Sequence, residues 1–211
     1  MPRTTGIPVE LARAPLRTVR ARDVTAYAHP RAQLARLEQR GVMHRLADGF
    51  FTTVPQDRVG GSWLPTLEGA TAGIAAAEFG ERGFALMGLS AARMHRALPR
   101  ALAAAFVASP RRRQRMRLSD RDAVIHFRQR DLDLLHVELM RTDLGECLVT
   151  KPEQTVLDLA HARHDPAVDA DVHAAIRSLL ARCDDATLAE VAGSQRLGRA
   201  FAHVRGMMRT A

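Results

Sequence analysis

The sequence predicts an α+β protein in two parts. A short helix-and-hairpin unit spans residues 1–57, and a larger α+β unit with a small central sheet and C-terminal helices spans 62–211. Three observations carry this reading. A helical stretch ending at Gly41 runs directly into two apolar stretches around Ala47-Asp48-Gly49, and Asp-Gly between apolar runs is a strong hairpin signal. Asp57-Arg58-Val59-Gly60-Gly61-Ser62 then punctuates the chain before a long Ala-rich helical pattern. Beyond it, short Val-, Ile- and Phe-rich runs give way to helical periodicity.

In the first part, Val9–Ala14 forms a short helix closed by Pro15, and Leu16–Val19 is extended. Arg22–Ala28 reads as a brief helix with Val24 and Tyr27 on one face. Pro30 opens the next helix, where a missing N–H is harmless. That helix runs to Arg40 with Leu34 and Leu37 toward the core. Gln33, Arg36 and Arg40 share another face, and Arg31 stands at its start. Val42–Leu46 and Phe50–Val54 make the hairpin. Helix, helix and two-stranded hairpin is the order of a winged helix-turn-helix. Its helix fits the major groove of double-stranded DNA, where arginine pairs bidentately with guanine and glutamine with adenine. Arg31, Gln33 and Arg36 are the candidate base readers, and Arg22, Arg40 and Arg45 the candidate phosphate contacts.

In the second part, Trp63–Phe79 is helical and ends at Gly80. Phe84–Met87 is a strand, and Ser90 caps a helix stopped by Pro99. Ala104–Ala108, Ala123–Phe127, Leu134–Leu139 and Leu148-Val149 read as strands. Thr150 and Glu153 have capping-box spacing at the start of a helix. Helices follow from Asp165-Pro166, from Asp184-Asp185 and from Ser194.

Length and composition bound the function. The 211 residues are 46% hydrophobic and 26% charged, which excludes a wholly disordered chain. No stretch of about 18 apolar residues exists, and no secretory signal is visible. Two cysteines, Cys147 and Cys183, make no disulfide framework, so a reducing cytoplasm is the expected compartment. Of 31 cations 30 are arginine, and the net charge is +8. Residues 1–60 hold +5 of it, which fits a nucleic-acid reader joined to a nearly balanced second unit. Five further arginines crowd one stretch, Arg111, Arg112, Arg113, Arg115 and Arg117. Ser109-Pro110 before them marks an exposed loop suited to phosphate or to an acidic partner face.

Two constellations raise other chemistry. Asp158, His161, His164, Asp165 and His173 include residues at helical spacing that suit a metal. Asp122, Glu138 and Arg141, on or beside adjacent strands, suggest a degenerate or active nuclease, although Met140 stands where such a site needs lysine. No P-loop, dinucleotide fingerprint or nucleophile elbow is present, so no catalytic residue, cofactor or metal is assigned. A pure protein-interaction module is the remaining alternative.

The stretch from Leu34 through Arg40-Gly41 to Gly49-Phe50-Phe51, the stretch Leu89-Ser90-Ala91-Ala92-Arg93-Met94-His95, and the stretch from Val149 through Lys151-Pro152-Glu153 to Asp158-Leu159-Ala160 together resemble the AbiEi-type antitoxins of bacterial toxin–antitoxin and phage-defence operons. Phe51 departs from the family pattern, where a tyrosine is often seen. The resemblance implies a non-enzymatic transcriptional autorepressor. Its N-terminal winged helix would bind inverted repeats in its own promoter, and its C-terminal domain would counter a nucleotidyltransferase-type toxin.

Overall fold

The computed structural model describes residues 7–100, 103–164 and 166–209. The chain is mixed α and β, built on two sheets. The first is three-stranded and antiparallel, in the order β1 (Thr18–Arg20), β3 (Phe50–Thr53), β2 (Met43–Ala47). Helices α1 (Val9–Ala12) and α2 (Pro30–Gln39) belong to the same part of the chain. Successive strand residues point to opposite faces. Phe51 therefore packs with Leu34, Leu37 and Leu11 on one side, while Phe50 packs with Ala70, Ile74 and Phe127 on the other. All four residues of β3 are buried because both faces are covered.

The cover on the second face is α3 (Leu67–Phe79). Thr66 caps it by accepting the Gly69 N–H at 3.0 Å, and Gly80 ends it at φ +87°. Its residues from Gly69 to Ala76 are all buried, the pattern of a helix enclosed on every side. On its far side lies the six-stranded sheet. In order this is β6 (Met116–Arg117), β7 (Val124–Gln129), β5 (Ala104–Ser109), β4 (Ala85–Leu86), β9 (Glu146–Thr150) and β8 (Val137–Arg141). Strands β5 and β7 are parallel, so the chain must return between them, and it does so through β6, the edge strand antiparallel to β7. Residues 110–123 make that return and contain the arginine run. The other face of this sheet carries α4 (Gly88–Met94), α5 (Pro152–His161), α6 (Asp169–Leu180), α7 (Asp185–Ser194) and α8 (Gly198–Arg209), with α5 at the centre of a second apolar core.

Several sequence expectations shift. The helix expected over Arg22–Ala28 is only a 3-10 turn, Ala21–Asp23. The Glu10 carboxylate accepts the Thr25 and Ala26 N–H groups at 2.9 and 2.7 Å and holds that segment extended. The capping box of Thr150 and Glu153 does not form. Lys151 occupies the cap, the Thr150 and Thr155 hydroxyls pair at 2.8 Å, and Glu153 accepts the Asp184 N–H instead. The helices expected from Trp63 and Ser194 begin later, at Leu67 and Gly198. Strand β6, inside the arginine run, was not expected at all.

Candidate nucleic-acid interface

Helix α2 is anchored from below and open above. Leu34 and Leu37 are buried beneath it. Gly41, at φ +68°, ends it, its N–H bonding to the Glu38 carbonyl while that of Val42 bonds to the Leu37 carbonyl. This is the left-handed stop that glycine adopts without strain. A Cβ at Gly41 would also stand 3.3 Å from the Gly60 nitrogen, so the helix stop and the Gly60-Gly61 segment touch. On the solvent side, Arg31, Arg36 and Arg40 are exposed, and none of the three side chains makes an ion pair or hydrogen bond with another described residue. Gln33 is half-buried on the same helix.

Arg45 is placed differently. Its Nε and Nη2 donate to Glu38 Oε2 at 3.1 and 2.8 Å, and its guanidinium lies 5.0 Å over the Phe51 ring. It stitches α2 to the hairpin. Asp48 keeps an ordinary φ while Gly49 takes +76°, and the β2–β3 register slips between Arg45 and Ala47. Gly49 thus supplies the positive φ of the turn, and a separate bulge at Leu46 of β2 lies beside it. The Gly49 carbonyl accepts the Ala21 N–H at 2.8 Å, which sets exposed Arg22 beside the hairpin turn. Arg22 has one loose neighbour, Asp23 at 3.8 Å.

The hairpin is fastened to the second part of the chain. Ser119 N–H donates to the Leu46 carbonyl at 2.8 Å. His44 Nε2 and Asp120 Oδ2 are 2.8 Å apart, and Arg121 donates to the same carboxylate. Burial alone would raise Asp120, but the hydrogen bonds and charges of His44 and Arg121 outweigh it and hold the carboxyl below its usual range. Trp63 meets the His44 ring edge-on at 5.9 Å.

The arginine run is divided in its roles. Arg113 turns inward, with its guanidinium 2.8 Å from Glu78 Oε1, 5.7 Å over Phe50 and 5.4 Å over Phe127. The same buried Glu78 accepts from Arg20 of β1 at 2.8 Å. Arg111 lies over Phe79 and reaches the Glu78 carbonyl at 3.3 Å. Arg117 pairs with exposed Asp122 at 2.8 Å. Arg112 and Arg115 are exposed, with no side-chain partner among the described residues. The run is therefore not uniformly an open loop. Glu78 and Arg20 gave no sign in the sequence of their role, being 58 residues apart.

The other constellations come apart. Asp122 precedes β7 and Glu138 lies on β8. Strands β5, β4 and β9 stand between them, so the expectation of adjacent strands is corrected and no paired-carboxylate nuclease site forms from them. Asp165 lies outside the described residues. His164 Nε2 is spent on the Leu159 carbonyl at 2.8 Å, and His173 stands beside His203. Asp158 turns to Arg130 and Gln154 at 3.2 and 3.1 Å. Among the described residues no group of three or more His, Cys, Asp or Glu is placed to hold a metal, and no helix is long and apolar enough to cross a membrane.

Together these elements set an open cationic helix on one side and an enclosed α+β body on the other. A family model described as the AbiEi antitoxin C-terminal domain matches residues 84–207, from the approach to β4 through α8. The match covers more than half of the chain, and the chain belongs to the AbiEi antitoxin family, whose members are antitoxins of toxin–antitoxin systems. No curated protein sequence matches the chain.

Proposed function

We propose that the protein is an antitoxin that also represses its own operon by binding inverted repeats in its promoter. Residues 1–57 act as a winged helix-turn-helix, and residues 62–211 as the domain that counters a nucleotidyltransferase-type toxin. The observation that carries the DNA-binding half is the state of α2. Its apolar face is sealed, while the Arg31, Arg36 and Arg40 side chains stand exposed with no partner among the described residues. Free guanidinium groups on a rigid helix suit major-groove edges and flanking phosphates. In this reading Arg31, Gln33 and Arg36 approach bases, and Arg22 and Arg40 hold phosphates. Arg45, already paired with Glu38, is a positioning residue that sets the hairpin against the helix.

A mobility shift on a duplex spanning the sequence upstream of the gene tests this. The wild-type protein is expected to prefer that duplex to an unrelated one, and Arg36→Ala to lose about 1–3 kcal/mol of that preference. An Arg36→Ala protein with undiminished preference would refute the recognition-helix assignment.

A further inference from the structure

Strand β8 (Val137–Arg141) is the last strand of the six-stranded sheet, and among the described residues it pairs only with β9. The register fixes which backbone groups that pairing uses. At one end the Thr142 N–H donates to the Gly145 carbonyl at 2.8 Å, and at the other the Lys151 N–H donates to the His136 carbonyl at 2.9 Å. Facing residues of an antiparallel pair alternate between exchanging both bonds and exchanging none. His136, Glu138, Met140 and Thr142 therefore turn their N–H and C=O groups to β9, and Val137, Leu139 and Arg141 turn theirs outward. None of these three has a further backbone partner among the described residues. The edge also lacks the usual guards. It runs for five residues with no proline, lysine or bulge, whereas β6 at the other edge is two residues long and set among arginines. Leu139 at its centre is 49% exposed. It stands opposite Leu148 and on the same side as Val137, and both of those pack on the small core around Met87 and Leu135.

We propose that β8 pairs antiparallel with β8 of a second copy of this chain, centred on Leu139, and so joins two six-stranded sheets across a two-fold axis. The inference goes beyond the DNA-binding reading and does not rest on it, since it uses neither α2 nor the hairpin. What identifies the occupant is that the strand is complementary to itself in one register. With Leu139 opposite Leu139 of the second copy, Val137 falls opposite Arg141 and Arg141 opposite Val137. The three outward residues then meet one another, each pair exchanging two N–H···O bonds. The two leucines carry the apolar row of Leu148 and Leu139 from one sheet into the next. Neighbouring registers are worse. A slip of two residues one way sets Glu138 against Glu138, and the other way sets Leu139 against Arg141 and Val137 against Asp143. A contact that matches itself is isologous, so it closes at two copies and uses up both edges. Five residues of strand make a small interface, and the dimer is accordingly weak and dependent on protein concentration.

The test is sedimentation velocity on the full chain, without DNA, over a series of protein concentrations. It compares wild type, Leu139→Lys, Leu139→Glu and an equimolar mixture of the two variants. The Leu139 side chain is half exposed and its backbone groups point away from β9, so both variants keep the fold, which circular dichroism checks. Wild type is expected to pass from monomer to dimer as concentration rises. Each variant alone sets two like charges against each other on the axis, and its dimer should be weaker by on the order of tenfold or more. The mixture sets lysine against glutamate at the same point and should dimerise again, which a general loss of surface apolarity would not produce. A wild type that is monomeric at every concentration overturns the inference. If Leu139→Lys then also loses toxin neutralisation in cells, the edge belongs to a foreign strand instead. Variants that dimerise as wild type does overturn it by placing the contact elsewhere, and a mixture that stays monomeric overturns the pairing centred on Leu139. None of these outcomes bears on the mobility shift with Arg36→Ala, so the repressor reading stands or falls separately.

Discussion

Asp158 is a carboxyl group almost out of reach of water. Its Oδ1 accepts from Arg130 and from Gln154, and its Oδ2 has no partner. Arg130 also donates to Gln195 Oε1 at 2.6 Å, and Gln195 donates to the Leu134 carbonyl, so the group ties α5 to the chain between β7 and β8 and to the end of α7. Burial pushes this carboxyl up to about 6, although Arg130, Gln154 and His161 pull the other way. An unfolded aspartate titrates near 3.9. Between those two values the native chain holds a proton that the unfolded chain has released. Stability therefore falls as pH rises through that window and levels off above it, by roughly 3 kcal/mol in all. Asp158→Asn cannot titrate. Urea unfolding at a series of pH values should show the wild type losing stability relative to Asp158→Asn from about pH 4 to about pH 6. A wild type that instead gains on the variant over that range would mean that the ionised carboxylate stabilises the fold through Arg130. In the sequence Asp158 was legible only as a neighbour of His161 on a helix face. Arg130, 28 residues away, becomes its partner only through the sheet.

At the scale of elements, α3 shows why close packing here depends on small residues. It lies between two sheets, and Gly73 faces β1. A Cβ at Gly73 would run into the Thr18 hydroxyl, and it would stand 3.2 Å from Thr18 Cβ and 3.1 Å from Leu144 Cδ1. Thr18 has no easy escape, because it is buried and its hydroxyl donates to the Leu16 carbonyl. Alanine is the better helix former by about 1 kcal/mol. The clash should outweigh that gain, and Gly73→Ala should destabilise by about 1–3 kcal/mol in urea unfolding. Adding Thr18→Ala should restore part of the loss, and a Gly73→Ala protein as stable as wild type would refute the wedge. The sequence made most elements legible where a local rule governed them. Pro30 and Gly41 bracketed α2, Asp48-Gly49 marked the hairpin, and short apolar runs with Val, Ile and Phe marked β5 and β7. It failed where a distant group decided. Val24 and Tyr27 have helical spacing, but Glu10 captures the backbone beside them. Thr150 and Glu153 have capping spacing, but Thr150 pairs with the Thr155 hydroxyl and Glu153 is taken by the distant Asp184 N–H. Two residues of strand among five arginines carry no periodicity to detect.

For the whole molecule, the glycine pair at Gly60-Gly61 divides the chain covalently while the apolar core runs across it. Leu16, Leu46 and Phe50 come from before the pair, and they pack with Ala70, Ile74, Phe127 and Val149 from after it. Burying three such side chains contributes roughly 5–9 kcal/mol, comparable with the whole stability of a domain of this size. The buried Glu78 bridge to Arg20 and the tie of His44 to Asp120 cross the same boundary. Neither part then has a complete core alone. The full chain should unfold in one transition, with the fluorescence of Trp63, which sits against His44 at the junction, coinciding with far-ultraviolet circular dichroism. A fragment of residues 62–211 should lack a cooperative transition, since it exposes the face of α3 that β1 and β3 cover. Two separated transitions, or a fragment that melts cooperatively at the temperature of the full chain, would mean that the parts are independent. The coupling bears on regulation. If the α2 surface and the antitoxin body share one core, a partner that distorts the body acts on the same folding unit that holds α2 and the hairpin in register.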